Sequence, residues 1–185
     1  MSDTPNKNGP DLHLRRAGPA DAEALARVHI DSWCAAYRGI VPDAFLDRLD
    51  YARRAAQFRQ WLAPEAAATY VAEEDGEVRG FMMLGTSRDA GVDKAVTGEI
   101  WGIYLAPNQW RKGIGSRMCG YAEELLSSQG FGVITLWVFE ANAAARRFYE
   151  AMGFRADGTV SEMNADAPLK VVRYRKELKR AGRGE

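Results

Sequence analysis

The spacing of apolar residues changes along this chain, and each change marks an element. Leu12 to Ala17 alternates enough for a strand. Gly18 and Pro19 then suit the cap and first turn of a helix. Asp21 and Glu23 stand where the helix dipole favours acids, and Leu25, Val28, Ser32 and Trp33 follow on one face. The pattern breaks around Tyr37-Arg-Gly-Ile-Val-Pro42. A second helix is predicted from about Asp43 to Leu62, with Phe45, Leu49, Ala52 and Ala56 along its inner stripe and Pro64 just beyond its end. Tyr70 to Glu73 and Val78 to Gly85 are strand-like. The Asp-Gly pair in Glu74-Asp-Gly-Glu77 joins them as a tight antiparallel hairpin.

A polar loop from Arg88 to Lys94 precedes a strand from Val96 to Leu105. The next helix, Gly113 to about Ser128, places Ile114, Met118, Tyr121 and Leu125 on one face, with Gly130 as its C-terminal cap. Val133 to Phe139 is a strand, and the segment from Asn142 to Gly153 is a helix ending in glycine. Phe154 to Val160, a loop from Ser161 to Pro168, and a strand from Leu169 to Leu178 complete the pattern. Strand, helix, strand between residues 96 and 139 calls for a right-handed crossover and two parallel strands, while the flanking hairpins are antiparallel. The expected result is a mixed sheet with helices on its faces.

With 185 residues, the chain suffices for one domain with a substantial core, here 12–178. Residues 1–11, polar and rich in Asn, Pro and Gly, read as a disordered tail, and 179–185 as a solvated C-terminal tail. The 25 basic residues balance 25 acidic ones, which argues against a nucleic-acid partner. No apolar run approaches the roughly 20 residues of a membrane span, and the N-terminus carries no signal-peptide core, so a cytoplasmic protein without a membrane partner is expected. Cys34 and Cys119 stand apart and read as small buried hydrophobes. His13 and His29 have no companion at metal-ligand spacing, so no metal is expected.

The chemistry concentrates between Glu99 and Ser116. An apolar strand runs into a short loop and a helix start, where Gly113 and Gly115 let the main chain approach a bulky anion. The free N–H groups of the first turn suit phosphate. A P-loop is excluded because Lys112 precedes the glycine. A dinucleotide fingerprint lacks its third glycine, because Met118 stands there, although Glu140 ends the next strand as a superficially suitable ribose ligand.

Together with the strand Val133–Phe139 and the segment Asn142-x-x-Ala-x-x-Phe-Tyr-x-x-x-Gly-Phe154, this stretch resembles the acetyl-CoA-binding half of GNAT N-acetyltransferases. Arg111, Lys112, Gly113, Ile114 and Gly115 match the family's turn, but Trp110 occupies the place of its Gln or Arg and is assigned to apolar packing. Ser32 to Pro42 also looks like a helix-to-helix segment of bacterial GNATs acting on small amines. The resemblance implies a GNAT-like α/β (α+β) fold: a mostly antiparallel sheet of six to seven strands with a central parallel pair, flanked by about four helices. It further implies a cofactor site of Ile103, Tyr104 and Leu105 on the strand, Arg111 to Ser116 in the turn, and Asn142, which also reads as a helix N-cap.

Acetyl transfer from a thioester to an amine needs a neutral amine, a polarised carbonyl and a proton for the thiolate. A lysine-like amine, with a pKa of about 10.4, needs a base. Glu99 is the candidate, on a strand face shared with Trp101 and Ile103 if the strand is regular. Tyr149 matches the family tyrosine that points at the CoA sulfur, and a backbone N–H near Ile103 would polarise the carbonyl. Trp33, Tyr37, Trp101 and Glu162 are candidate lining residues of an acceptor cleft between the first two helices, the strands of Glu99 and of Trp137 and Phe139, and the Ser161–Pro168 loop. The expected function is acetyl-CoA-dependent N-acetylation of a primary amine on a small molecule or peptide by direct attack in a ternary complex, in a chain compatible with a homodimer. The alternatives are a non-catalytic acyl-CoA-sensing module and, third, a nucleotide-dependent oxidoreductase.

Overall fold

The computed structural model describes residues 12–62 and 68–178. The expected tails and Pro64 lie outside them. The elements are β1 (His13–Arg16), α1 (Ala22–Tyr37), α2 (Asp43–Leu46), α3 (Tyr51–Trp61), β2 (Ala68–Glu74), β3 (Glu77–Thr86), β4 (Thr97–Leu105), α4 (Ile114–Ser128), β5 (Val133–Phe139), α5 (Ala143–Ala151), β6 (Arg155–Asn164) and β7 (Pro168–Glu177). The strands form a 7-stranded sheet in the order β1-β2-β3-β4-β5-β7-β6. Only β4 and β5 run parallel, as the crossover through α4 requires; the other pairs are antiparallel.

Helices cover both faces. On one, Leu25, Ala26 and Val28 of α1 and Ala55 and Phe58 of α3 bury Val71 and Phe81. On the other, Ile114, Met118, Cys119, Ala122 and Leu126 of α4 and Tyr149 of α5 pack on Met82, Leu84, Ile100, Ile134, Leu136, Val138 and Tyr174. A third cluster joins Val41 and Leu46 to Phe139, Ala165 and Val171 at the C-terminal end of β5. Full burial of each large side chain contributes about 1.5–3 kcal/mol.

Three expectations need correction. The single helix over 43–62 is two, because the Asp50 side chain accepts the Arg53 N–H at 2.7 Å and caps a fresh start. The restart shifts the helical phase, so Ala55 and Phe58 face the core while Ala52 and Ala56 face solvent. The Ser161–Pro168 loop is mostly strand: β6 pairs with β7 through Asn164↔Pro168. As an edge strand exposed along almost its whole length, β6 shows no apolar alternation to read. Finally, β4 is irregular. Met83 pairs with Gly102 and Leu84 with Ile100, so Trp101 is the extra residue of a bulge. The bulge reverses the alternation: Ile100 and Ile103 both face the α4 layer, whereas Glu99 shares the α1 face with Tyr104.

Candidate active site at the splay of the central strands

The parallel ladder spans only Thr97↔Val133 to Ile100↔Leu136. Beyond it β4 and β5 separate, and the edge of β4 facing β5 is left without a strand partner. Ala106 N–H donates to Arg79 O at 2.9 Å, which makes Gly80 and Leu105 a pair that exchanges no ladder bonds. The N–H and C=O of Leu105, and of Ile103 in the same register, therefore turn toward the gap. Tyr104 lies between them with its main chain on β3, and its ring stacks on Phe81 of the α1 face.

Trp110 is not packed away as expected. It is 37% exposed, and its indole N–H donates to Leu105 O at 3.0 Å, so it fastens the turn to the end of β4. Lys112 Nζ donates to the buried Gln109 side chain at 3.3 Å. Arg111 (φ 61) and Gly113 (φ 84) are both left-handed, an alternation that aims successive N–H groups into one concavity. The first bond across the start of α4 is from Arg117 N to Gly113 O at 3.1 Å, so the amides of Ile114, Gly115 and Ser116 precede it. A Cβ on Gly115 would meet Leu105 and Phe148 at 3.4 Å, a packing contact. Arg111, Lys112 and Ser116 are exposed. Amides, helix dipole and basic side chains together fit a diphosphate.

Across the gap, Asn142 caps α5 by accepting the Ala145 N–H at 3.1 Å. Tyr149, on the inner face of α5, is buried with Phe148 and Phe154 against its ring. Burial pushes its phenol well above the ordinary range, with smaller contributions from Cys119, Tyr37 and Tyr104. Burial likewise pushes the Cys119 thiol up to about 12, which suits a packing role rather than a nucleophile.

On the α1 face, Glu99 is 1% exposed. Its Oε2 accepts the Arg88 backbone N–H at 2.7 Å, and its Oε1 accepts Arg88 Nε at 3.0 Å and Arg88 Nη2. The next residue, Asp89, accepts Trp137 Nε1 at 2.9 Å and Arg173 Nη1 at 3.0 Å. Arg88, Asp89 and Arg173 are not legible in the sequence pattern, since the first two lie in a polar loop without periodicity and their partners Glu99, Trp137 and Arg173 lie on β4, β5 and β7. Trp33, Tyr37 and Phe139 form a nest of edge-to-face rings, with Tyr37 and Phe139 centroids at 5.0 Å. Glu162 stands apart, exposed on β6 opposite Lys170, and Glu140 pairs with Lys170 at 2.8 Å. Among the described residues, no group of three or more His, Cys, Asp or Glu side chains converges to hold a metal.

Residues 30–154 match the family model described as Acetyltransferase (GNAT) family. The chain belongs to the GNAT acetyltransferases. An uncharacterized N-acetyltransferase of Bacillus subtilis, YuaI, is 31% identical over 140 residues, covering 75% of this chain and 77% of that one. Among solved GNAT structures, the PaiA N-acetyltransferase of Thermoplasma acidophilum in complex with coenzyme A superposes with a TM-score of 0.68 at 22% identity, over 88% of this chain and 98% of that one. Salmonella typhimurium yncA, solved with its cofactor acetyl-CoA, gives 0.66 at 22% identity, over 95% and 98%. At that identity the likeness carries the GNAT fold.

Proposed function

We propose that this protein transfers an acetyl group from acetyl-CoA to the primary amine of a small molecule or peptide, by direct attack while both are bound. The observation that carries the reading is the run of amides from Lys112 to Ser116 opening beside the outward main chain of Ile103 and Leu105, on one side of the strand gap. The Lys112–Ser116 amides, with Arg111 and Lys112, would hold the diphosphate. Ile103 and Leu105 would take the pantetheine arm through the main chain, with the Ile103 N–H polarising the acyl oxygen. Asn142 shapes the far side. Bound acetyl-CoA supplies an activated carbonyl and a thiolate leaving group.

Glu99 serves as the base, removing a proton from the acceptor ammonium directly or through water, from the α1 face of β4. Tyr149 donates a hydrogen bond to the departing sulfur. The upward displacement of its phenol favours donation over complete proton transfer, since transfer from a weaker acid is steeper.

A screen of primary amines with acetyl-CoA, followed by free-thiol release and mass spectrometry of the acceptor, tests the function. Amine-dependent thiol release with an acetylated product is expected. Tight acetyl-CoA binding with only slow, amine-independent release across the panel would replace the enzyme by an acyl-CoA-sensing module.

A further inference from the structure

The Glu99 carboxylate is divided unequally. Oε2 is held by the Arg88 backbone N–H at 2.7 Å, with Ser87 Oγ at 3.5 Å, so that oxygen belongs to the chain's own loop. Among the described residues, Oε1 receives only the Arg88 guanidinium. The same guanidinium lies over the Trp101 ring, its Cζ 4.9 Å from the centroid. A buried carboxylate oxygen beneath a cation and an indole face beside it make a site built for positive charge.

The cation that fills it is tethered but not buried. The Arg88 side chain is 58% exposed, against 1% for Glu99. Its backbone stays put without the guanidinium, because Arg88 N–H is bonded to Oε2 and Asp89 is clasped by Trp137 and Arg173. Swinging the guanidinium into water thus costs the loop none of its anchors, and it bares Oε1 and the Trp101 face together. Trp101 reaches that face because it is the bulge residue, and the absent side chain of Gly85 makes room: a Cβ there would sit 3.0 Å from the indole.

We propose that Glu99 Oε1 and the Trp101 indole form a cation site for the acceptor's ammonium head, and that Arg88 is a built-in competitor occupying it until the acceptor displaces it. The inference rests on the acetyltransferase reading of this face. It gives the acceptor a class, an organic cation whose charged nitrogen is the one acylated, and it makes Arg88 a specificity residue. Neutral amine isosteres and anionic head groups are excluded, since neither displaces a guanidinium from a buried carboxylate.

Arg88→Met keeps the aliphatic stem and removes the competitor, and Arg88→Gln provides a second neutral variant. Both should bind acetyl-CoA like the parent protein in calorimetry, while the KM for the amine falls about five- to tenfold. Trp101→Leu should raise that KM in either background. Independently of turnover, millimolar propylammonium should raise the thermal midpoint of Arg88→Met more than that of the parent, and 1-propanol should raise neither. If amine KM rises in both Arg88 variants, or propylammonium shifts parent and variants equally or not at all, Arg88 merely braces Glu99 and the proposal is wrong. Should no amine be acetylated by any form, the acetyltransferase reading fails, while the propylammonium comparison still decides the cation site.

Discussion

Tyr149 and His29 are buried titratable side chains on opposite faces of the sheet, and burial acts on them in opposite senses. The Tyr149 phenol is displaced upward and stays protonated at any working pH. Tyr149→Phe keeps the ring and the packing against Phe148 and Phe154, so we expect acetyl-CoA affinity and thermal midpoint to hold while kcat falls about 10²-fold. Stopped-flow thiol release alongside calorimetry measures both, and an undiminished kcat removes Tyr149 from the chemistry. His29 sits among Trp33, Phe58, Phe81 and Tyr104, and desolvation, aided by the charge of Arg54, holds its pKa down to about 3. Its unfolded value is about 6.5, so the unfolded chain binds the extra proton between those limits. Stability is therefore full above pH 6.5 and lost as pH falls toward 3, at up to about 1.4 kcal/mol per pH unit. Urea midpoints measured from pH 7 to 5 should show a shallower decline in His29→Phe than in the parent. Equal slopes would show that His29 is not the titrating group.

At the scale of elements, the turn into α4 depends on one backbone conformation. Gly113 has φ +84 with open space where a Cβ would point, so the cost of a side chain there is conformational alone. Gly113→Ala should destabilise by about 1–2 kcal/mol and weaken CoA binding, because the amides of residues 114–116 would be re-aimed. Chemical denaturation and calorimetry report the two effects. Undiminished CoA affinity would show that these amides do not hold the diphosphate. Elements with strong patterns were legible: β5 occupies the expected Val133–Phe139, and Asn142 caps α5. Elements lacking one were not. The edge strand β6 has no buried face to impose alternation, and the α2–α3 break depends on the Asp50 side chain bending back to the Arg53 amide.

For the molecule as a whole, a ligand seated on preformed amides and strand edges must stabilise the fold by mass action. Acetyl-CoA at a hundredfold excess over its Kd should add about 2.7 kcal/mol, a rise in thermal midpoint of roughly 5–10 °C, while NAD at the same concentration adds nothing. An equal shift from NAD in differential scanning fluorimetry would reopen the dinucleotide reading. Arg88 belongs to this scale too. Its partners Glu99 and Trp101 follow 11 and more residues later on β4, while Arg88 lies in the loop after β3, so only the β3–β4 pairing brings them together.

Local sequence alone determined the glycine turn into α4, the capped helix α5, the hairpin and the parallel crossover. Each is set by short-range forces: positive φ at glycine, side-chain capping, Asp-Gly turn geometry and helical or strand periodicity. Tertiary structure decided which face each residue of β4 presents, because a bulge sets two residues of one strand opposite one of its partner and exists only once the two strands have paired. It also decided the partners of Glu99, since charges distant along the chain meet only after the sheet closes.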